Sequence, residues 1–178
     1  MKRYALFAMA VAAVAMLVFG SAWPASAGVV RYEVSGIEYD CLTDPGTVWQ
    51  HGNVLHMRGV RHTNVDFSSS PELNGTLTTL ADADFNLSNG NVTIQGTMHF
   101  QPEGIDGAWE GSWNFIANRG LVRARSVAQG IGALRGKTLF LEIYDVEPGP
   151  GDPAFCEGIG EYHGTVVFEG YVLDTGTH

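Results

Sequence analysis

Histidine is the residue of this chain with the widest chemical reach, and His51, His56 and His62 lie close together in sequence. Neutral imidazole is a good ligand for zinc or copper. If Val54 to Phe67 forms one continuous strand, His56 and His62 share a face but stand about 20 Å apart at ~3.3 Å per residue. One ion cannot bridge that distance. A bulge at Gly59 would change the facing and shorten the span only slightly. Their face also carries Arg58, Asn64 and Asp66, with Leu55, Met57, Val65 and Phe67 on the other. The expectation is a solvated polar face and no metal site.

Other reactive types lack the spacing that chemistry requires. His99 and His163 fall on the polar faces of their strands; as neighbours they would meet, with Glu110 or Glu161 beside them. No H-E-x-x-H, G-x-S-x-G or phosphate-cradling loop is present. Ser68-Ser69-Ser70-Pro71 reads as a turn with no base beside it. Asp82, Asp84, Asp145, Glu147 and Asp152 do not follow the ordered D-x-D-x-D-G spacing of a calcium loop. No cofactor is implied, and no nucleophile or general base can be assigned.

The two remaining candidates are Cys41 and Cys156, neither part of a C-x-x-C pair. An even cysteine count in an exported chain predicts one disulfide. It would join the end of the first strand to the loop before the last.

Export is read from the first 27 residues. Lys2 and Arg3 precede an uncharged apolar run, Ala5 to Phe19, and Pro24-Ala25-Ser26-Ala27 ends in a small-x-small cleavage pattern. The run is shorter than the ~20 residues a membrane span needs. Residues 1–27 are therefore expected to be a removed signal peptide and 28–178 a secreted or periplasmic domain, with no membrane association afterwards. Losing Lys2 and Arg3 leaves 8 of the 10 basic residues against 19 acidic ones, a net charge of −11. Lys137 is the one lysine left. Such a chain lacks the clustered cations that phosphate contacts need, which excludes a nucleic-acid partner.

The elements that must position any site are strands. No mature stretch shows a capped 3.6-residue apolar period; apolar and polar residues alternate between glycine-containing breaks. Strands are expected at about Val29–Tyr39, Val54–Phe67, Gly75–Leu87, Val92–Gln101, Ala108–Ala117, Leu121–Gly130, Lys137–Val146 and Gly158–Val172. Eight strands suit an all-β fold, a single antiparallel barrel or alternatively a β-sandwich. Asn89-Gly90 is the preferred pair for a two-residue type I′ turn. It sets Leu87 opposite Val92, Phe85 opposite Ile94 and Ala83 opposite Gly96. That register separates apolar from polar faces, which a one-residue slip would mix. At Asn118-Arg119-Gly120 two registers stay open: a three-residue loop puts Trp113 opposite Arg125, and a two-residue loop puts it opposite Ala124.

In either register Trp109, Gly111, Trp113 and Phe115 share one face. The last strand places Tyr162 with Gly160, Gly164, Val166 and Phe168, alternating with Glu161, His163 and Thr165. Glycines interleaved with aromatics relieve crowding where a sheet coils inward. Trp109, Trp113, Phe115 and Tyr162 are therefore the candidate ligand-binding surface. Arg125 joins them in the three-residue-loop register, where its cation would orient an anionic group or stack on indole.

Gly107-Ala-Trp-Glu-Gly-Ser-Trp113, followed by Gly130-Ile-Gly132-Ala-Leu-Arg-Gly136, resembles the barrel family that includes plant allene oxide cyclases and dirigent proteins, and exported bacterial relatives of unassigned function. The resemblance covers about Pro71 to Val172. It implies an eight-stranded antiparallel barrel with a central apolar cavity, which the plant members use to steer cyclisation or coupling of a reactive intermediate. Their pocket residues have no counterparts that can be matched here. Three functions follow as expectations: a non-enzymatic module binding a small apolar molecule or a partner, a cofactor-free isomerase or cyclase, and a structural envelope protein with a filled core.

Overall fold

The computed structural model describes residues 28–118 and 121–176; the leader expected at 1–27 and the turn residues Arg119 and Gly120 lie outside them. Nine strands follow in order: β1 Val30–Asp44, β2 Thr47–His51, β3 Val54–Ser68, β4 Gly75–Asn86, β5 Asn91–Pro102, β6 Gly107–Asn118, β7 Leu121–Gly132, β8 Lys137–Val146 and β9 Glu161–Asp174. Hydrogen-bonded neighbours run β1-β9-β8-β7-β6-β5-β4-β3-β2, and β1 also pairs with β3. That last pairing closes eight antiparallel strands into a barrel. β2, unanticipated from sequence, is an extra strand that pairs with the first part of β3 above the point where β1 leaves it.

Alternation drives this architecture, and the inward faces are the ones expected for β4, β5 and β6. The registers are not. Phe85 stands opposite Val92, Ala83 opposite Ile94 and Ala81 opposite Gly96, two residues from the expected pairing. Asn86 and Asn89 explain the slide. Their side-chain oxygens accept from the N–H groups of Ser88 and Asn91, each at 3.0 Å, and Gly90 N–H donates to Asn86 O at 2.8 Å. These local bonds make a four-residue loop in place of the type I′ turn. A slip of two keeps every side chain on its face, so the pattern could not report it. Leu87 consequently leaves the ladder and is exposed.

The β6–β7 hairpin adopts neither open register. Asn118 pairs with Leu121 and Trp113 faces Ser126, with Phe115 opposite Ala124 and Trp109 opposite Gly130. Large rings therefore do meet small residues, as the second register required, but two positions along. Gly96 shows why this face needs glycine: a Cβ there would sit 2.7 Å from the Trp113 indole nitrogen.

The lower end of the barrel, where β1 begins, is sealed. A 3-10 turn at Pro71–Leu73 places Leu73 inside, and Trp109, Phe100, Leu134 and Val172 are almost fully buried there. The Trp109 indole N–H donates to Glu72 O at 2.9 Å. Beside it Lys137 Nζ donates to Glu72 Oε2 at 2.6 Å and to the Tyr32 hydroxyl at 3.1 Å, while Tyr32 donates to Glu72 Oε1. At the upper end the β8–β9 loop carries a 3-10 turn, Asp152–Cys156, and Cys156 is joined to Cys41 of β1, as expected.

Candidate functional site

Above the sealed floor the barrel is hollow. A cavity of about 610 Å³ is lined by apolar side chains from β4 to β9, including Phe85, Ile94, Met98, Trp113, Phe115, Leu141, Ile143 and Phe168. Trp113 and Phe115 thus line the interior as expected. Trp109 lies on the same face but below the cavity, fully buried under it. Tyr162 borders the rim, and its hydroxyl is taken up by Thr165 Oγ1 at 2.7 Å, which in turn donates to Asp152 Oδ2. Arg125 does not join the group. It pairs with Asn114 on the outer face and holds Glu142 at 2.7 Å, because the observed β6–β7 register points the alanines and Ser126 of β7 inward. Among the described residues no lysine or arginine lines the cavity.

One wall is polar, and sequence placed most of it in solvent. Gly59 adopts φ +73°, and the β3–β4 register shifts between Met57 and Val60. This bulge inserts one residue, so the inward set changes parity along β3. Leu55 and Met57 stay inside before the bulge, as expected. After it Val60, His62, Asn64 and Asp66 turn inward, while Val65 and Phe67 turn out. The expected solvated face therefore holds for His56 and Arg58, which bind Asp84 outside at 2.7 and 2.8 Å, and fails for the other three. On the outer surface Phe67 and Tyr39 gain cover from Phe155 of the disulfide-tied loop, whose ring stacks on Tyr39 at 4.0 Å.

Facing these residues from β1 are Glu38 and Asp40. Glu38 is the cross-strand partner of Asp66 and accepts from Asn64 Nδ2 at 2.5 Å. His62 Nδ1 is 2.5 Å from Asp40 Oδ1. A second bulge, at His163 in β9, is seen where pairing moves from Asp40↔Gly164 to Cys41↔Tyr162. It aims His163 at Asp40, with Nδ1 3.4 Å from Oδ2. The two imidazoles meet edge to face at 5.2 Å. His163 therefore meets Asp40 and not His99, which sits on the outer surface near Glu110.

Electrostatics divides the carboxyls. Burial, then the charge of Asp40, pushes Glu38 up to about 8 against the bond from Asn64. Burial, then the charges of Glu38 and Asp40, raises Asp66 well above the usual carboxylate range. Burial also opposes ionisation of Asp40, but the bonds to His163 and His62 outweigh it and hold it below that range. The same bond to Asp40 raises His163 against the cost of its own burial.

Three buried polar atoms on the cavity wall have no hydrogen-bond partner: Asp66 Oδ1, Trp113 Nε1 and Ser126 Oγ. Trp113 and Ser126 are cross-strand neighbours on β6 and β7, and in strand order β7 lies opposite β3, which carries Asp66. Unmade buried bonds cost about 1–3 kcal/mol each, and all three residues line the same cavity. Of these atoms only the Trp113 indole was legible as a candidate from sequence. The chain has no significant match among family models, curated proteins or solved structures.

Proposed function

We propose that this protein is an exported, non-enzymatic β-barrel that binds one small, largely apolar molecule in its cavity. The observation that carries this reading is the set of unpartnered buried polar atoms, Trp113 Nε1, Ser126 Oγ and Asp66 Oδ1, on the wall of an apolar cavity of about 610 Å³. Small-molecule sites typically combine a volume of ~300–1,000 Å³ with a few convergent polar groups. The ligand's polar ends follow from the geometry. An acceptor atom suits the indole N–H and the Ser126 hydroxyl, and a donor suits the carboxyl wall opposite. With no lysine or arginine on the cavity wall among the described residues, a neutral or cationic molecule is favoured over an anionic one. A hollow interior weighs against the filled-core envelope protein. Export rests on the leader pattern of residues 1–27 and agrees with the Cys41–Cys156 disulfide.

The test uses two dyes of similar bulk, neutral Nile red and anionic anilinonaphthalene sulfonate. Nile red should bind with a blue shift, the anionic dye much more weakly, and Ala124→Phe, which fills the cavity from β7, should abolish the Nile red signal. Equal binding of both dyes, or a signal untouched by Ala124→Phe, would overturn the reading.

A cofactor-free isomerase or cyclase is the second reading, and Asp66 favours it. A carboxyl with one free oxygen against an apolar pocket is well placed to pass a proton to a constrained intermediate. Turnover of a bound, reactive compound by the parent but not by Asp66→Asn would promote it over simple binding.

A further inference from the structure

We propose that Asp40, His62 and His163 form a binding site for one divalent transition-metal ion, zinc being the type case, on the polar wall of the cavity near its mouth. The three come from β1, β3 and β9, neighbours at the seam that closes the barrel. One potential ligand atom from each lies within 4.8 Å of the other two. Tetrahedral zinc with bonds of ~2.0–2.1 Å sets ligand atoms about 3.3 Å apart. The observed pairs stand at 2.5 Å for His62–Asp40 and 3.4 Å for His163–Asp40. Small side-chain rotations close the set, and His163, the most exposed member at 59%, has the room to make them.

Donor chemistry selects the class of ion. Two imidazoles and one carboxylate suit zinc, copper, nickel or iron, whereas calcium and magnesium want an all-oxygen shell. Three protein ligands leave a fourth position open, as in zinc sites that bind an exogenous group.

Asp40 has the two imidazoles as its ion-pair partners, and no lysine or arginine among the described lining residues competes for it. The other described histidines lack this setting: His51 is exposed on β2, His56 is engaged by Asp84 and stacked on Trp49, and His99 faces Glu110 on the outer surface.

The proposal is tested on the oxidised, folded protein after chelator treatment, by calorimetric titration with zinc chloride. One ion per chain should bind, and His62→Ala and His163→Ala should each weaken it at least about tenfold, since even groups behind the ligands are worth that much. His56→Ala should leave the affinity unchanged, and calcium chloride should give no comparable heat. His163→Ala removes a rim side chain, so circular dichroism should match the parent and keep the comparison valid. Cobalt(II) should give the intense d–d absorption of a four-coordinate site, lost in the same two variants. No saturable zinc uptake by the parent, parent-like affinity in His62→Ala and His163→Ala, equal loss in His56→Ala, or calcium bound as tightly as zinc would each overturn the site. None of these outcomes bears on the dye test, which reads the apolar part of the cavity.

Discussion

His62 Nδ1 lies 2.5 Å from Asp40 Oδ1 across the β1–β3 seam, and this contact exists because Gly59 breaks the alternation of β3. Had the strand run evenly from Val54, His62 would point to solvent with His56. A matching bulge at His163 turns the second imidazole to the same carboxylate. Two single-residue insertions thus assemble the polar wall of the cavity.

Gly59 is therefore the first residue to test. A Cβ there meets open space, but φ is +73°. The left-handed conformation costs a non-glycine residue about 1–3 kcal/mol, most for a β-branched one. Gly59→Val should lower the urea midpoint accordingly, and Gly59→Asn by less, because asparagine tolerates this region. A valine variant as stable as the parent would remove the bulge and, with it, the inward turn of His62.

The two tryptophans of β6 should behave differently. Trp109 is fully buried and its indole is bonded to Glu72 O, so Trp109→Ala should cost about 3–5 kcal/mol as a core truncation. Trp113 borders the cavity and its N–H has no partner, so Trp113→Ala should cost distinctly less while changing Nile red binding. Chemical denaturation of both variants gives the comparison. A reversed order would mean that the cavity is misplaced relative to β6.

Cys41 and Cys156 should be unavailable to alkylation in folded, unreduced protein, whose intact mass should be lower by two hydrogen atoms than after reduction. Their bond closes a separation of 115 residues. Cys156→Ser should destabilise by roughly 2–4 kcal/mol and should also loosen the Phe155 cover over Tyr39 and Phe67. Protease cleavage between 147 and 160 reads that loosening, and an unchanged cleavage rate would show that the loop is held by other contacts.

The floor cluster makes stability fall in alkali. Burial, then the bond to Glu72, raises Tyr32 from 10 to about 12. Lys137 is also raised: burial works against its charge, but its bonds to Glu72 and Tyr32 prevail. Asp174 completes the set, 3.9 Å from Lys137 Nζ. Groups whose folded pKa is raised keep their contribution below the unfolded value and lose it as pH climbs through the folded one. The melting temperature should accordingly fall between about pH 10 and 12, and Tyr32→Phe should flatten that part of the profile. An identical alkaline profile in the variant would assign the loss to other groups.

Sequence by itself determined the all-β class, the approximate positions of eight of the nine strands, the inward faces of β4, β5 and β6 and the Cys41–Cys156 pair. Each of these follows from period-two alternation, turn residues or the cysteine count, all of which are local or compositional. It also placed Trp113 and Phe115 against the interior. Tertiary structure alone decided the registers, the outward turn of Arg125 and the polar wall. The reason is the parity of a β-strand. A slide of two residues, as at Asn86–Asn91, leaves every face unchanged and so leaves no trace in the pattern. One inserted residue, as at Gly59 or His163, inverts everything beyond it. The Gly59 insertion shows only in the pairing of β3 with β4, and the His163 insertion only in that of β9 with β1, so both are visible once the strands are paired.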